Sequence, residues 1–97
     1  MKDLAIMGNL VSELVFKGEI AGQNYDANKL SESGIYLITD ETIKNSNNLN
    51  WSFLICLKFD VNTTLQFLIQ TDSAVSIYKR KLSPTGYSLN SEWMKVG

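Results

Sequence analysis

The chain has 97 residues, a length that suits one domain with a modest core. Its formal net charge of −1 gives no basic excess for binding nucleic acid. The absence of histidine removes the commonest general base and metal ligand, and the single cysteine, Cys56, excludes an intrachain disulfide. No apolar run reaches the ~18 residues of a membrane helix and no signal-peptide core opens the chain, so we expect a cytoplasmically made protein without membrane insertion.

The first predicted element is an amphipathic helix over residues 1–15, a segment separate from a knob-like β domain over 16–97. Its apolar side chains follow the 3-4-3 spacing of a heptad seam: Leu4, Met7, Val11 and Leu14. This seam fits a helix on the domain's own core or the end of an oligomeric coiled-coil stalk. The partial alternation in "ELVFKGEI" also fits a strand, so the three alternatives stay open here.

Residues 17–34 are rich in turn formers, and Asp26 is placed to cap a short helical turn. From Gly34 onward the chain is predicted to be β. Strands rich in β-branched and aromatic residues or with alternating polarity are expected at 35–39, 51–59, 65–71, 75–81 and 92–96. The fold class is therefore mainly β (α+β), a small antiparallel meander with a short N-terminal helix.

Alternation within the meander divides its side chains between two faces. One face is expected to form the core, because its members are all apolar: Phe53, Ile55, Leu57, Phe59, Leu65, Phe67, Ile69, Val75 and Ile77. The other face, which includes Tyr78 and Arg80, is expected to meet water or a partner. Cys56 lies in an apolar run and is interpreted as a small buried hydrophobe rather than a nucleophile.

The register between the strands at 65–71 and 75–81 depends on the turn that joins them. A three-residue turn at 71–73 would set Ile69 opposite Val75 and Phe67 opposite Ile77. This arrangement keeps the apolar side chains on one face of the sheet. We therefore favour it over a two-residue turn.

The stretch "DANKLSESGIYLIT" resembles the Asp-x-Asn-x-Leu-x-x-x-Gly-[Ile/Phe]-Tyr signature that opens the pyocin-knob family of phage tail fibres and phage-like bacteriocin fibres. The matching positions are Asp26, Asn28, Leu30, Gly34, Ile35 and Tyr36. Downstream, "LQFLIQTDSAVSIYKRK" is similar to the family's Gln-containing strand, turn and Ile-Tyr-x-Arg strand, and "EWMKV" to the end of its closing Trp-x-x-Trp-x-Lys-[Ile/Val] motif. The first tryptophan of that motif is absent, and Ser33 stands where the family often has proline.

The resemblance implies a place in a tail fibre, baseplate or receptor-binding protein of a phage or prophage. It implies a virion protein assembled in the host cytoplasm, with bacterial surface polysaccharide and other tail or baseplate proteins as partners. It also implies a homotrimer, which favours a trimerisation stalk as the role of the seam in residues 1–15. The family is not defined by an enzyme activity, and we expect no cofactor.

Polysaccharide recognition would use aromatic faces and side-chain amides. The candidate ligand-binding residues are Trp51, Trp93, Tyr87, Tyr78, Asn48, Asn50 and Gln66. Each tryptophan also fits packing in the core or at a sheet edge, and Tyr78 and Arg80 are placed to stack with Trp93. The alternatives to a saccharide-binding adhesin are a purely structural or trimerisation module without a ligand, and a protein-interaction module that uses the polar face.

Catalytic and metal-binding residues are not predicted. Loop carboxylates such as Asp40 and Glu41 have neither an adjacent base nor an apolar surround that would shift a pKa for acid–base work. Asp60, Asn62 and Asp72 offer oxygen ligands for Ca²⁺, but the ordinary preference of these residues for turns explains their positions better.

Overall fold

The computed structural model describes residues 15–22, 25–40, 42–47, 50–71 and 75–96. Within these residues, one six-stranded sheet runs in chain order: β1 (Phe16–Ile20), β2 (Gly34–Ile38), β3 (Ser52–Asp60), β4 (Thr63–Gln70), β5 (Ser76–Leu82) and β6 (Met94–Val96). β1 and β2 pair in parallel, whereas all the following neighbours pair antiparallel. A 3₁₀ turn at Ala27–Lys29 lies between β1 and β2. The predicted helix over 1–15 and its seam fall almost entirely outside the described residues.

The mainly β fold and the meander are confirmed, and each of the five predicted strands lies within two residues of its expected bounds. β1 and its parallel pairing were not predicted as such. β1 carries a register irregularity between Phe16 and Gly18, and Gly18 has a φ of 105°. Because glycine tolerates positive φ without steric cost, it suits this irregular position. Gly18 also interrupts the alternation of apolar side chains that is typical of the other strands.

The assignment of the two sheet faces was wrong, since the face with the polar residues is the buried one. The sheet side chains that are fully enclosed come from that face: Ile38, Ser52, Leu54, Cys56, Thr64, Gln66, Leu68 and Leu82. On the face predicted to be core, Phe53, Leu65 and Ile77 keep 37% to 39% of their area exposed. Alternation correctly separated the two sets of side chains, but it did not identify which set the chain encloses.

The long connections around β2 explain the reversal. The connection before β2 contributes Ala27 and the connection after it contributes Ile43, and both side chains pack in one cluster with Leu54 and Leu68. These two connections therefore form a layer over the polar face of the sheet. A buried leucine or isoleucine contributes roughly 1.5–3 kcal/mol to folding, so this layer stabilises the face it covers.

The predicted register between β4 and β5 was wrong by two residues. Ile69 pairs with Ile77 and Phe67 with Lys79, rather than with Val75 and Ile77. The reason lies at Thr71, whose backbone N and Oγ1 donate to the carbonyl oxygen of Trp51 over 3.3 Å and 3.0 Å. Since β4 stays bonded to the β3 side through Thr71, the chain reverses later. The even shift keeps every side chain on its predicted side of the sheet.

Candidate functional site

Gln66 is fully buried and joins the sheet to the 3₁₀ turn. Its Nε2 atom donates to the carbonyl oxygens of Ala27 and Leu30 over 2.8 Å and 3.1 Å. Its Oε1 atom accepts a 2.7 Å hydrogen bond from Arg80 Nε. The amide group of this candidate ligand residue is therefore occupied inside the protein and has no surface for a saccharide.

Arg80 and Trp93 form a stacked pair at the edge of this network. The guanidinium carbon of Arg80 lies 4.6 Å from the centroid of the Trp93 ring, which confirms the predicted cation–π contact. Trp93 Nε1 donates to the carbonyl oxygen of Asn45 over 2.9 Å. Trp93 and Tyr78 both pack against the core cluster and are half-buried. These contacts tie the last strand to the connection between β2 and β3.

Arg80 itself is partly enclosed. Burial lowers the pKa of Arg80, while the carboxylate of Asp26 acts in the opposite direction. The Nη2 atom of Arg80 is buried and makes no hydrogen bond to any described residue. The side chain thus serves as a packed cation between Gln66 and Trp93 rather than as a surface charge.

Asp26 caps the 3₁₀ turn and anchors the connection that follows β2. Its Oδ1 atom accepts hydrogen bonds from Asn28 N over 2.9 Å and from Asn45 Nδ2 over 2.7 Å. Burial acts to raise the pKa of Asp26, but these two hydrogen bonds and the ammonium groups of Lys29 and Lys44 outweigh it and lower the pKa. Four motif positions, Asp26, Gln66, Arg80 and Trp93, therefore belong to one structural network.

Sequence reasoning missed Asn45, which links two parts of that network through its side chain and its carbonyl oxygen. Asn45 has a φ of 60°, a conformation that asparagine adopts more readily than most residues. The Asn-rich composition of the loop was the only signal for it. Composition alone does not distinguish Asn45 from the neighbouring asparagines, because its role depends on contacts 19 and 48 residues away along the chain.

The exposed aromatic candidates lie at opposite ends of the sheet. Trp51 is 58% exposed and precedes the end of β3 that pairs with Gln70. Tyr87 is 80% exposed and belongs to the β5–β6 connection, in which Thr85 Oγ1 donates to Asn62 Oδ1 in the β3–β4 turn over 2.7 Å. The structure does not bring Trp51 and Tyr87 into one groove. Asn50 is half-buried beside Trp51, and Asn48 lies outside the described residues.

A further surface feature is the sheet face opposite the core, which we call the open face. Its apolar side chains are half-buried or exposed and come from β2 to β6: Ile35, Leu37, Phe53, Ile55, Leu57, Leu65, Phe67, Ile69, Ile77, Met94 and Val96. A continuous apolar surface of this kind marks an interaction site in a soluble protein.

A groove lies towards one side of the open face. It has a volume of about 390 Å³ and is lined by Leu65, Phe67, Lys79, Arg80, Lys81, Ser91 and Met94. We call it the β5 groove, since three of its residues are consecutive in β5. Its lining combines an apolar surface with two exposed lysines, which suits an apolar group accompanied by a negative charge.

The described residues offer little for catalysis. No group of three or more cysteine, aspartate or glutamate side chains among them converges as a metal site. The pKa values of Asp26 and Asp40 are both lowered, Asp40 by hydrogen bonds from Thr42, whereas a general acid needs a raised one. Burial raises the pKa of the Cys56 thiol to about 11, so it is a poor nucleophile at neutral pH. In the same residues, no helix has the length and apolar character to cross a membrane.

Comparison with known proteins found no matching family model, no similar curated protein and no similar solved structure.

Proposed function

We propose that this chain is a non-enzymatic module of a phage or prophage tail adhesion device, and that it acts by packing against other protein chains. The observation that carries the proposal is the open face, where five strands present apolar side chains to solvent. A protein that worked as a free monomer would rarely leave such a surface uncovered. The proposal takes the tail setting from the pyocin-knob resemblance, which also supplies a homotrimer as the expected assembly.

The internal network supports an assembly role over a saccharide site on the polar face. Gln66 is enclosed, and the Trp93 indole N–H is already bonded to Asn45. These side chains hold the connections on the sheet, so the polar face is already occupied within the chain.

The mass of the purified chain in solution tests the assembly role. We expect light scattering at micromolar concentration to give three times the protomer mass of 10.9 kDa. The same measurement in 0.5 M salt should retain the assembly, because burial of apolar area is not screened by salt. A mass of one protomer across the concentration range would contradict the proposal.

A second candidate function, recognition of bacterial surface polysaccharide, is favoured by Trp51. The indole is mostly exposed, and the backbone of Trp51 has a φ of 48°, which is uncommon for a bulky residue. The two hydrogen bonds from Thr71 to the Trp51 carbonyl oxygen hold this conformation. Backbone strain held in place by the surrounding structure is a reason to suspect a binding role.

A glycan array on the intact assembly tests this second function. We expect the wild-type protein to bind a bacterial wall or capsule glycan between pH 5 and pH 8 with Ca²⁺ present, and Trp51→Ala to lose at least tenfold in affinity. Tyr87→Ala removes an exposed aromatic at the other end of the sheet and should bind like the wild type. No response from the wild-type protein would exclude polysaccharide recognition by this domain while leaving the assembly role intact.

A further inference from the structure

We propose that a second copy of this chain docks on the open face through a head-to-tail contact. In this contact Phe16 and Glu19, which we call the β1 edge patch, occupy the β5 groove of the neighbouring copy. The inference rests on the proposed assembly function and names the two surfaces that meet.

The β1 edge patch lies on the same side of the sheet as the open face. Phe16 pairs with Ile35 and Glu19 pairs with Leu37, and both partners belong to the open face. Phe16 is 57% exposed, and Glu19 is exposed beside it. Among the described residues β1 is also a terminal strand of the sheet, which leaves the patch at a sheet edge. The patch therefore offers an aromatic ring together with one carboxylate.

The β5 groove has the complementary character. Leu65, Phe67 and Met94 supply its apolar lining, and the lysines at 79 and 81 supply positive charge. Both lysines are exposed, and neither forms an ion pair within the described parts of the chain. An aromatic side chain with an adjacent carboxylate matches this groove in both polarity and charge.

The two surfaces lie on the same face of the sheet but towards its opposite edges. Since the strands follow chain order from β1 to β6, the β1 edge patch and the β5 groove are about four strand spacings, or ~19 Å, apart. One copy therefore cannot fill its own groove with its own patch. In the proposed head-to-tail contact the patch of each copy meets the groove of the next copy, which makes the contact heterologous, and its repetition closes a ring when the rotation allows. Three copies would close the ring in the proposed trimer.

Three lysine substitutions test the head-to-tail contact in the full chain. Phe16→Lys disrupts the β1 edge patch and Leu65→Lys disrupts the groove, whereas Leu89→Lys adds the same charge at a site that is 93% exposed and outside both surfaces. At a concentration where the wild-type protein is assembled, we expect Phe16→Lys and Leu65→Lys to have the protomer mass and Leu89→Lys to keep the wild-type mass.

Mixing the two disrupted variants gives the deciding result. The Phe16→Lys copy keeps an intact groove and the Leu65→Lys copy keeps an intact patch, so a 1:1 mixture should form one wild-type contact and give twice the protomer mass. A mixture that stays at the protomer mass would overturn the proposal, as would single variants that keep the wild-type mass.

Two controls keep the outcome interpretable. The circular dichroism spectrum and thermal unfolding of each variant should match those of the wild-type protomer, because both substituted side chains are exposed. If a lysine variant fails to fold, Phe16→Ala or Leu65→Ala takes its place. Each alanine substitution should weaken association at least tenfold. If the wild-type chain assembles but the mixture does not, only the head-to-tail contact fails. If the wild-type chain itself has the protomer mass, the assembly function fails as well.

Discussion

Gln66 shows at the level of one residue why alternation misjudged the buried face. A glutamine that alternates with leucine and phenylalanine is typical of a solvent-facing position. In this protein its amide meets carbonyl oxygens 36 and 39 residues earlier in the chain and the guanidinium of Arg80. A buried polar group is tolerated when it is hydrogen-bonded, and no local pattern reveals such distant partners.

Replacing Gln66 with leucine should therefore destabilise the protein strongly. Gln66→Leu removes the amide that donates to two backbone carbonyl oxygens and accepts from Arg80. The two carbonyl oxygens and the guanidinium group then lose this hydrogen-bond partner in the interior of the protein. We expect a loss of about 2–4 kcal/mol in the free energy of unfolding, measured by urea denaturation. Gln70→Leu on the same strand is the matched control and should change stability by no more than about 0.5 kcal/mol. Equal effects of the two substitutions would show that the network is not stabilising.

The 3₁₀ turn at Ala27–Lys29 illustrates what holds a short element in place. Three residues are too few to be helical alone, so the turn depends on the Asp26 cap, the Gln66 contacts and the burial of Ala27. The sequence predicted the cap because aspartate before a short helical run is a recognised signal. It did not reveal that the same carboxylate also accepts a hydrogen bond from Asn45.

The stabilising effect of the Asp26 charge should depend on pH. The pKa of Asp26 is lowered in the folded protein. The ionised carboxylate therefore adds its full stability at pH values above about 3.9, the ordinary pKa of aspartate. This stability is lost as the pH falls through the lower pKa of the folded state. Asp26→Asn keeps a capping oxygen but removes the charge. We expect it to cost about 1 kcal/mol at pH 7 and to match the wild type near pH 2.

Urea denaturation at several pH values checks this difference, with Glu92→Gln as the control for an exposed carboxylate. Glu92 accepts no side-chain hydrogen bond from the described residues, so its substitution should have little effect on stability. A wild-type advantage over Asp26→Asn that persists unchanged at pH 2 would contradict a role for the charge.

At the scale of the whole molecule, the sheet has one face covered by its own connections and one face without such a layer among the described residues. The connections that carry Ala27 and Ile43 lie on the same side, which is why the polar face became the interior. Under the proposed assembly, the apolar face would be the contact surface for another chain. The prediction that the apolar face is the core was wrong, although its side chains do share one face of the sheet.

The sequence by itself determined the five strands after Gly34, their antiparallel order and the separation of their side chains into two sets, because these features depend on alternation and turns between near neighbours. Only the tertiary structure decided the parallel pairing of β1, the register across Thr71 and the burial of Gln66 and Arg80. Each of these depends on contacts between segments far apart in the chain. Trp93 combines both cases: its place near the end of the sheet was predicted, as part of a strand over 92–96, whereas its hydrogen bond to Asn45, 48 residues earlier, was not.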